Sequence, residues 1–485
     1  MAMLQVRGAS AVGLALACEL ARRGVEVAVC EGSSRPEGLP LVLGARAQEH
    51  WHHLGLPAPG HRLHGLTVVA DGERVLHFSF DELSTPFPSL AVVPEGVGRL
   101  RRHAESLGVH FREGITDGEV IDARRGEGVV VGRQVLARFG GLPEDEVHIQ
   151  LGPFGLLAIL PCGEGQALLR LEGDAPIALD GWQRLLNEYG PEGAWVSEVS
   201  VDAEVLQVTP RGGPRIVRSE PGALHQDFED ARNLGWKLAL VGAGRADPSL
   251  LDSYAMERGA LRARLARAPR FPLRVVSLRR RLPEAWLDRL LPHLGRLEPV
   301  QERMARERAD LHLGYRDSPI VGEDREPFVL SRLGREDSAE RPTFATWLDF
   351  SSGPAPGDRA PDCGFGPGGH RRLREALRGE KHCLLLFDGV ADTEEGYRTL
   401  SRIAEEVERD HGDVIAVCVV VPSAARPMAL EWDGPMLQDP EFTLHTAFGA
   451  RSESLYLIRP DGFVGYRSQP ASRDGLVGHL ESLFR

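Results

Sequence analysis

The stretch Gly8-Ala9-Ser10-Ala11-Val12-Gly13 has the types and spacing of a phosphate cradle. A glycine turn that opens a helix aims backbone N–H groups at a pyrophosphate, and the middle glycine lets the backbone come close. Here the middle position is Ser10, which adds a Cβ and a hydroxymethyl group where that approach is needed. The strand that follows ends at Glu31, about 20 residues after the glycines, where an acid can meet a ribose hydroxyl. Arg7 precedes the turn, and a buried guanidinium there would require a partner or an anion.

Histidines 50, 52, 53, 61 and 64 form the other dense group of potential ligands. His50 and His53 share a helix face, but no carboxylate or cysteine completes a convincing metal spacing. A solvated helix end is the expectation, and no metal centre is expected. The six cysteines, at 18, 30, 162, 363, 383 and 418, include no Cys-x-x-Cys. That excludes a disulfide scaffold, a zinc ribbon and a dithiol redox motif, and fits a reducing cytoplasm.

The elements that position these residues follow from apolar periodicity. Residues 4–6 and 25–30 read as strands around a helix at 12–23, with a further helix at 44–54. A hairpin is expected at 66–80, a helix at 99–107 and a strand over 120–131. Residues 147–171 are mostly β, a helix is expected at 179–189, and strands return at 194–208. Phe228, Ala231, Leu234, Leu238 and Val241 fall on one face of a helix over 228–241. Arginine-rich helices should occupy 249–313, and "SSGPAPGDRAPDCG" has the composition of a domain linker. Strands at 383–387, 414–421, 454–458 and 463–466, with helices at 394–410 and 473–484, complete the chain.

With 485 residues the chain has room for two to four domains. A formal net charge of −13 argues against a nucleic-acid partner, and no stretch reads as a signal peptide or a membrane span.

"VGLALACELARRGVEVAVCE", "ELSTPFPSLAVVPE", "FEDARNLGWKLALVGAGRADPSLLDSYAMERG", "LGYRDSPIV", "PGDRAPD" and "YLIRPDGFVGYR" together resemble the class A flavoprotein monooxygenases. The likeness is to phenol hydroxylases and to aromatic hydroxylases that tailor polyketides. It implies an α/β fold: a Rossmann-like FAD-binding-type domain (1–60, 95–145 and 210–260), an inserted β-sheet substrate part (61–94 and 146–209) and a helical part (249–320). A linker (351–364) and a thioredoxin-like domain without Cys-x-x-Cys (365–485) would follow. The family's cofactors are FAD and NADPH, and it hydroxylates aromatic rings.

Matched to that pattern, the flavin contacts would be Gly8, Ser10, Gly13, Glu31, Arg46 and Asp230. Three family features are altered: the glycine turn carries Ser10, no Asp-Gly lies between Val129 and Val147, and no Gly-Asp pair precedes the helix at 228. Glu220, Asp227 and Glu229 crowd that helix start, where acids compete with an anionic ligand for the same donors. The expectation is therefore no FAD, or weak FAD, and a cofactor-independent cyclase, dehydratase or isomerase acting on an aromatic or polyketide-like small molecule. Two alternatives stay open: an active FAD- and NADPH-dependent hydroxylase, and a non-catalytic partner of an intact one. A homodimer is a further arrangement to test. Candidate acid–base groups are Glu95, placed where the family tends to carry glutamine, and the pair His225 and Asp227. Against these stand a surface carboxylate at 95 and plain N-capping by Asp227. Trp182, Trp195 and Trp236 are expected in the core.

Overall fold

The computed structural model describes residues 3–485 apart from 31–37, 59, 71–72, 82–86, 88, 116–118, 124–127, 153, 174–180, 209–223, 268–313, 326–342, 367–370, 378 and 391–393. The chain divides into two compact units, 1–235 with 258–312, and 236–257 with 313–485.

The first unit opens with β1 (Leu4–Arg7), α1 (Ala11–Arg22) and β2 (Val27–Cys30). Then come β3 (Leu41–Leu43), α2 (Ala45–His53), β4 (His61–Leu63) and the hairpin β5 (Gly65–Ala70) with β6 (Glu73–Ser79). β7 (Leu90–Val93), α3 (Gly96–Ser106), β8 (His110–Arg112) and β9 (Val120–Asp122) follow. Strands β8, β2, β1 and β9 lie side by side, all parallel. Parallel neighbours need a crossover, and α1 supplies it between β1 and β2. The helix is buried from Ala11 to Leu20, which explains its small, apolar sequence.

β10 (Gly128–Gly140), β11 (Glu146–Gly152), β12 (Gly155–Gly163), β13 (Gln166–Glu172) and β14 (Trp195–Val208) join the β5–β6 hairpin in a seven-stranded sheet. Its order is β14-β10-β13-β12-β11-β5-β6. Alternation divides its faces. Leu66, Val68, Phe78, Ile149 and Leu151 pack with Leu39, Leu63 and Val92 around the small sheet β3-β7-β4. Val135, Leu157, Ile159 and Leu169 pack instead on Trp182 and Leu186 of α4 (Gly181–Tyr189). The strand expected over 120–131 is two strands in two sheets. β10 pairs with β13 on one edge and β14 on the other, so residues 128–140 belong to the seven-stranded sheet and not to the Rossmann-like part. Trp182 is core as expected, whereas Trp195 is 48% exposed.

Two long helices follow, α5 (Leu224–Gly242) and α6 (Leu250–Arg267), and the boundary between units falls inside both. α5 begins four residues before the expected start at Phe228. The arginine-rich run after Arg267 lies outside the described residues up to 313.

The second unit is built on a six-stranded sheet in the order Gly322–Arg325, Val464–Gln469, Ser452–Ile458, His382–Gly389, Ile415–Val421, Met436–Gln438. Leu384, Leu386, Val417 and Val419 face the helices Glu394–His411 and Arg473–Leu483, and Leu385, Phe387 and Val420 face the other way. The proline- and glycine-rich stretch at 351–364 is no linker. It runs inside the second unit, with Gly357 N donating to Val464 O at 2.7 Å and Ala360 N to Gly462 O at 3.0 Å. Its prolines and glycines make turns against a sheet instead of a flexible tether, a distinction that composition does not carry.

Four buried charges tie this unit together. Glu257 takes Lys237 Nζ at 2.7 Å and Arg459 Nη1 at 2.6 Å, and Arg459 Nη2 also reaches Asp461 at 2.5 Å. Trp236, buried as expected, donates its indole N–H to Asp461 at 3.2 Å. Burial pushes the Lys237 ammonium down to about 8, against the pull of Glu257.

Candidate functional site

The turn between β1 and α1 forms as its glycines dictate. Gly8 has φ +113°, a conformation that favours glycine. A Cβ on Gly13 would fall well inside van der Waals contact of the Gly8 carbonyl oxygen. Ser10 is the N-cap, with its Oγ accepting from Gly13 N at 3.3 Å and donating to Ala123 O at 2.7 Å. The serine therefore takes one of the donors that a cradle offers to a phosphate, and it is buried in doing so. Arg7 is only partly buried, so it does not need the partner that full burial would impose. Glu31 lies outside the described residues.

Arg46, on α2, is buried among acids of its own chain. Its Nε donates to Glu229 Oε1 on α5, and its Nη1 reaches Glu49 Oε2 at 2.7 Å. His50 Nε2 stands 2.9 Å from the same Glu229 oxygen, and His50 Nδ1 lies 3.4 Å from Arg232 Nη1. Burial alone would raise the Glu229 carboxyl, but the Arg46 charge and the hydrogen bond from His50 outweigh it and hold it well below the usual carboxylate range. Asp230, the next residue, is matched by another buried cation. Arg258 Nε reaches it at 2.5 Å, and Arg258 Nη2 also bonds Gln226 Oε1 at 2.7 Å.

A third group, Glu19 with Arg23 and His53, continues the pattern between α1 and α2. Burial holds His50 and His53 below the ordinary histidine range, so both are neutral near pH 7. The expected solvated helix end is thus corrected: His50 is buried and His53 half-buried, because α2 turns that face toward α1 and α5. His64 stays exposed, 2.8 Å from Asp81.

Glu95 sits at the amino end of α3 with φ +50°, and its side chain is 72% exposed, 3.9 Å from Arg102. That is the surface carboxylate. His225 and Asp227 fall in the first turn of α5, so Asp227 is inside the helix and not its cap. The placement of their side chains lies outside the described residues.

Glu229 was legible as an acid crowding a helix start. Its partners Arg46 and His50 were not, although the other acid on Arg46, Glu49, stands at a readable i,i+3 spacing from it. Arg258 gives none, since 28 residues separate it from Asp230.

The family described as an FAD binding domain matches residues 228–268. The chain is 26% identical to 6-methylpretetramide 4-monooxygenase of Streptomyces rimosus over 569 aligned residues, covering 99% of this chain and 93% of that protein. It is 40% identical to a dialkyldecalin synthase of Streptomyces rugosporus over 113 residues, 23% of this chain and 24% of the other. The fold is that of a flavin-dependent monooxygenase solved with FAD and substrate, at a TM-score of 0.65, with 18% identity and 99% of both chains covered. Among the described residues no helix is long and apolar enough to cross a membrane.

Proposed function

The chain belongs to the class A flavoprotein monooxygenases, and from that premise we propose that it keeps their fold for a reaction that does not run through bound flavin. The substrate would be an aromatic or polyketide-like small molecule, and the reaction a cyclisation, dehydration or isomerisation. The observation that carries this reading is the closed ion cluster around Arg46. In our reading the residues present do not fit FAD. Arg46 has two carboxylates of its own chain, Asp230 has Arg258, and Ser10 caps the donor that the cradle would offer. A pyrophosphate brought to Arg46 would meet the Glu229 carboxylate already there, like charge against like.

The chemistry left to the chain is proton transfer. A base at position 225 or 227 would take the proton from a carbon between two carbonyls, the enolate carbon would attack a second carbonyl, and the proton would pass to the new alkoxide. The amino end of α5 favours the negative oxygen while it exists. Glu95, exposed, drops out of this scheme. The dialkyldecalin synthase, a relative named as a synthase, supports a role of this class.

We read the C-terminal sheet as thioredoxin-like from its strand order, without a redox dithiol. The competing reading, a working FAD- and NADPH-dependent hydroxylase, is favoured by the full-length likeness to the pretetramide monooxygenase. One measurement separates them: the absorption spectrum of purified protein after incubation with excess FAD and gel filtration. No retained flavin band is expected. A retained band with NADPH-dependent oxygen uptake would overturn the proposal.

A further inference from the structure

We propose that the seven-stranded sheet carries a divalent-metal site, suited to zinc, on its α4 face, formed by His77, Glu146 and His148 around Thr67. The three neighbouring strands β6, β5 and β11 bring these residues together. Thr67 is directly opposite His77 on one side and His148 on the other, and Glu146 precedes His148 by two, on the same face. Val68, Phe78, Val147 and Ile149 point to the opposite face, in the apolar core. The cluster is therefore separate from the Arg46 ion network and from every acid–base candidate above.

Glu146 lies flat across β5 because Gly65 has no side chain. A Cβ on Gly65 would stand 3.1 Å from Glu146 Cγ and 3.3 Å from its Oε1. Glu146 Oε2 accepts from Thr67 Oγ1 at 3.0 Å, and Thr67 Oγ1 is 3.1 Å from His77 Nδ1. The carboxylate then faces both imidazoles, with Oε1 3.8 Å from His77 Nδ1 and Oε2 3.9 Å from His148 Nε2.

His148 is more than nine-tenths buried, and its Nε2 has no hydrogen-bond partner among the described residues. A buried imidazole nitrogen without a partner is costly, and a metal ion satisfies it. Zinc at about 2.1 Å from each ligand sets neighbouring ligand atoms roughly 3.4 Å apart, so both imidazoles must move in toward a single carboxylate oxygen. His77, two strands from His148 and 44% exposed, must also swing inward over β5. Two histidines and one carboxylate leave a fourth position for water, and the Thr67 hydroxyl orients the carboxylate by donating to its Oε2.

The test is zinc competition between the full chain and a chromophoric chelator, comparing the wild type with Glu146→Gln and His148→Gln. One equivalent of zinc is expected in the wild type, weakened at least ~100-fold in either variant. His110→Gln, on β8, should leave it unchanged. Should a variant fail to fold, carbethoxylation of the wild type followed by peptide mapping reads His77 directly, and zinc should protect it. A wild type that takes up no zinc, variants that keep wild-type affinity, or His77 modified equally with and without zinc would each overturn the proposal.

Discussion

Replacing Glu229 by glutamine tests the ion cluster most directly, because it removes one charge and almost no volume. Two opposite effects should follow. Removing one partner of a buried ion pair costs about 3–5 kcal/mol, and Glu49 still holds Arg46 at 2.7 Å, so the lower end, about 3 kcal/mol, is expected. A domain of ordinary stability survives that loss. Anion binding should move the other way. A phosphate sharing Arg46 with Glu229 would stand about 5–6 Å from its carboxylate, a repulsion of about 3 kcal/mol at an effective dielectric constant of about 20. Relieving it should tighten FAD or inorganic pyrophosphate by roughly 100-fold. Urea unfolding gives the first number, and flavin fluorescence quenching on titration gives the second. If the variant unfolds at the wild-type urea concentration, or binds FAD no tighter than the wild type, the assignment of Arg46 to an internal carboxylate partner is wrong.

Other perturbations act on the same buried contacts. Gly13→Ala should destabilise the first unit by about 3 kcal/mol, since its Cβ meets a backbone oxygen that cannot step aside, and thermal melting would show it. Glu257→Gln leaves Lys237 and Arg459 facing one another without their shared acid and should cost about 3–5 kcal/mol, read by urea unfolding. Stability should fall in two stages on acidification. His50 and His53 are held below the ordinary histidine range in the fold, so the unfolded chain gains protons first and stability declines from about pH 6.5 downward. Glu229 and Glu257 are held low by their cations, so their contribution is present above about pH 4.3 and is lost as pH falls through their folded values. Equal urea midpoints at about pH 7.5 and about pH 5.5 would contradict the histidine stage.

Much of the architecture is written locally. The β1–α1–β2 unit, the β5–β6 hairpin and the buried strands His382–Gly389 and Ile415–Val421 follow from apolar period and turn residues, which act over a few positions. Gly8 and Gly13 are readable for the same reason, since the turn that needs them is six residues long. The 351–364 stretch misled because composition records proline and glycine but not the sheet edge they turn against. The strand over 120–131 misled because β-propensity does not say which sheet a strand joins.

The sequence alone determined the fold class, the family likeness and the presence of acids at the start of α5. Only the tertiary structure decided what those acids do. Glu229 meets Arg46 across 183 positions, and Thr67 meets Glu146 across 79. Ion pairing and metal coordination depend on distances of a few ångströms, and chain separations of that size carry no information about them. Ser10 shows both sides: its type was plain in the turn, and its hydrogen bond to Ala123 O appeared only once β9 lay beside β1.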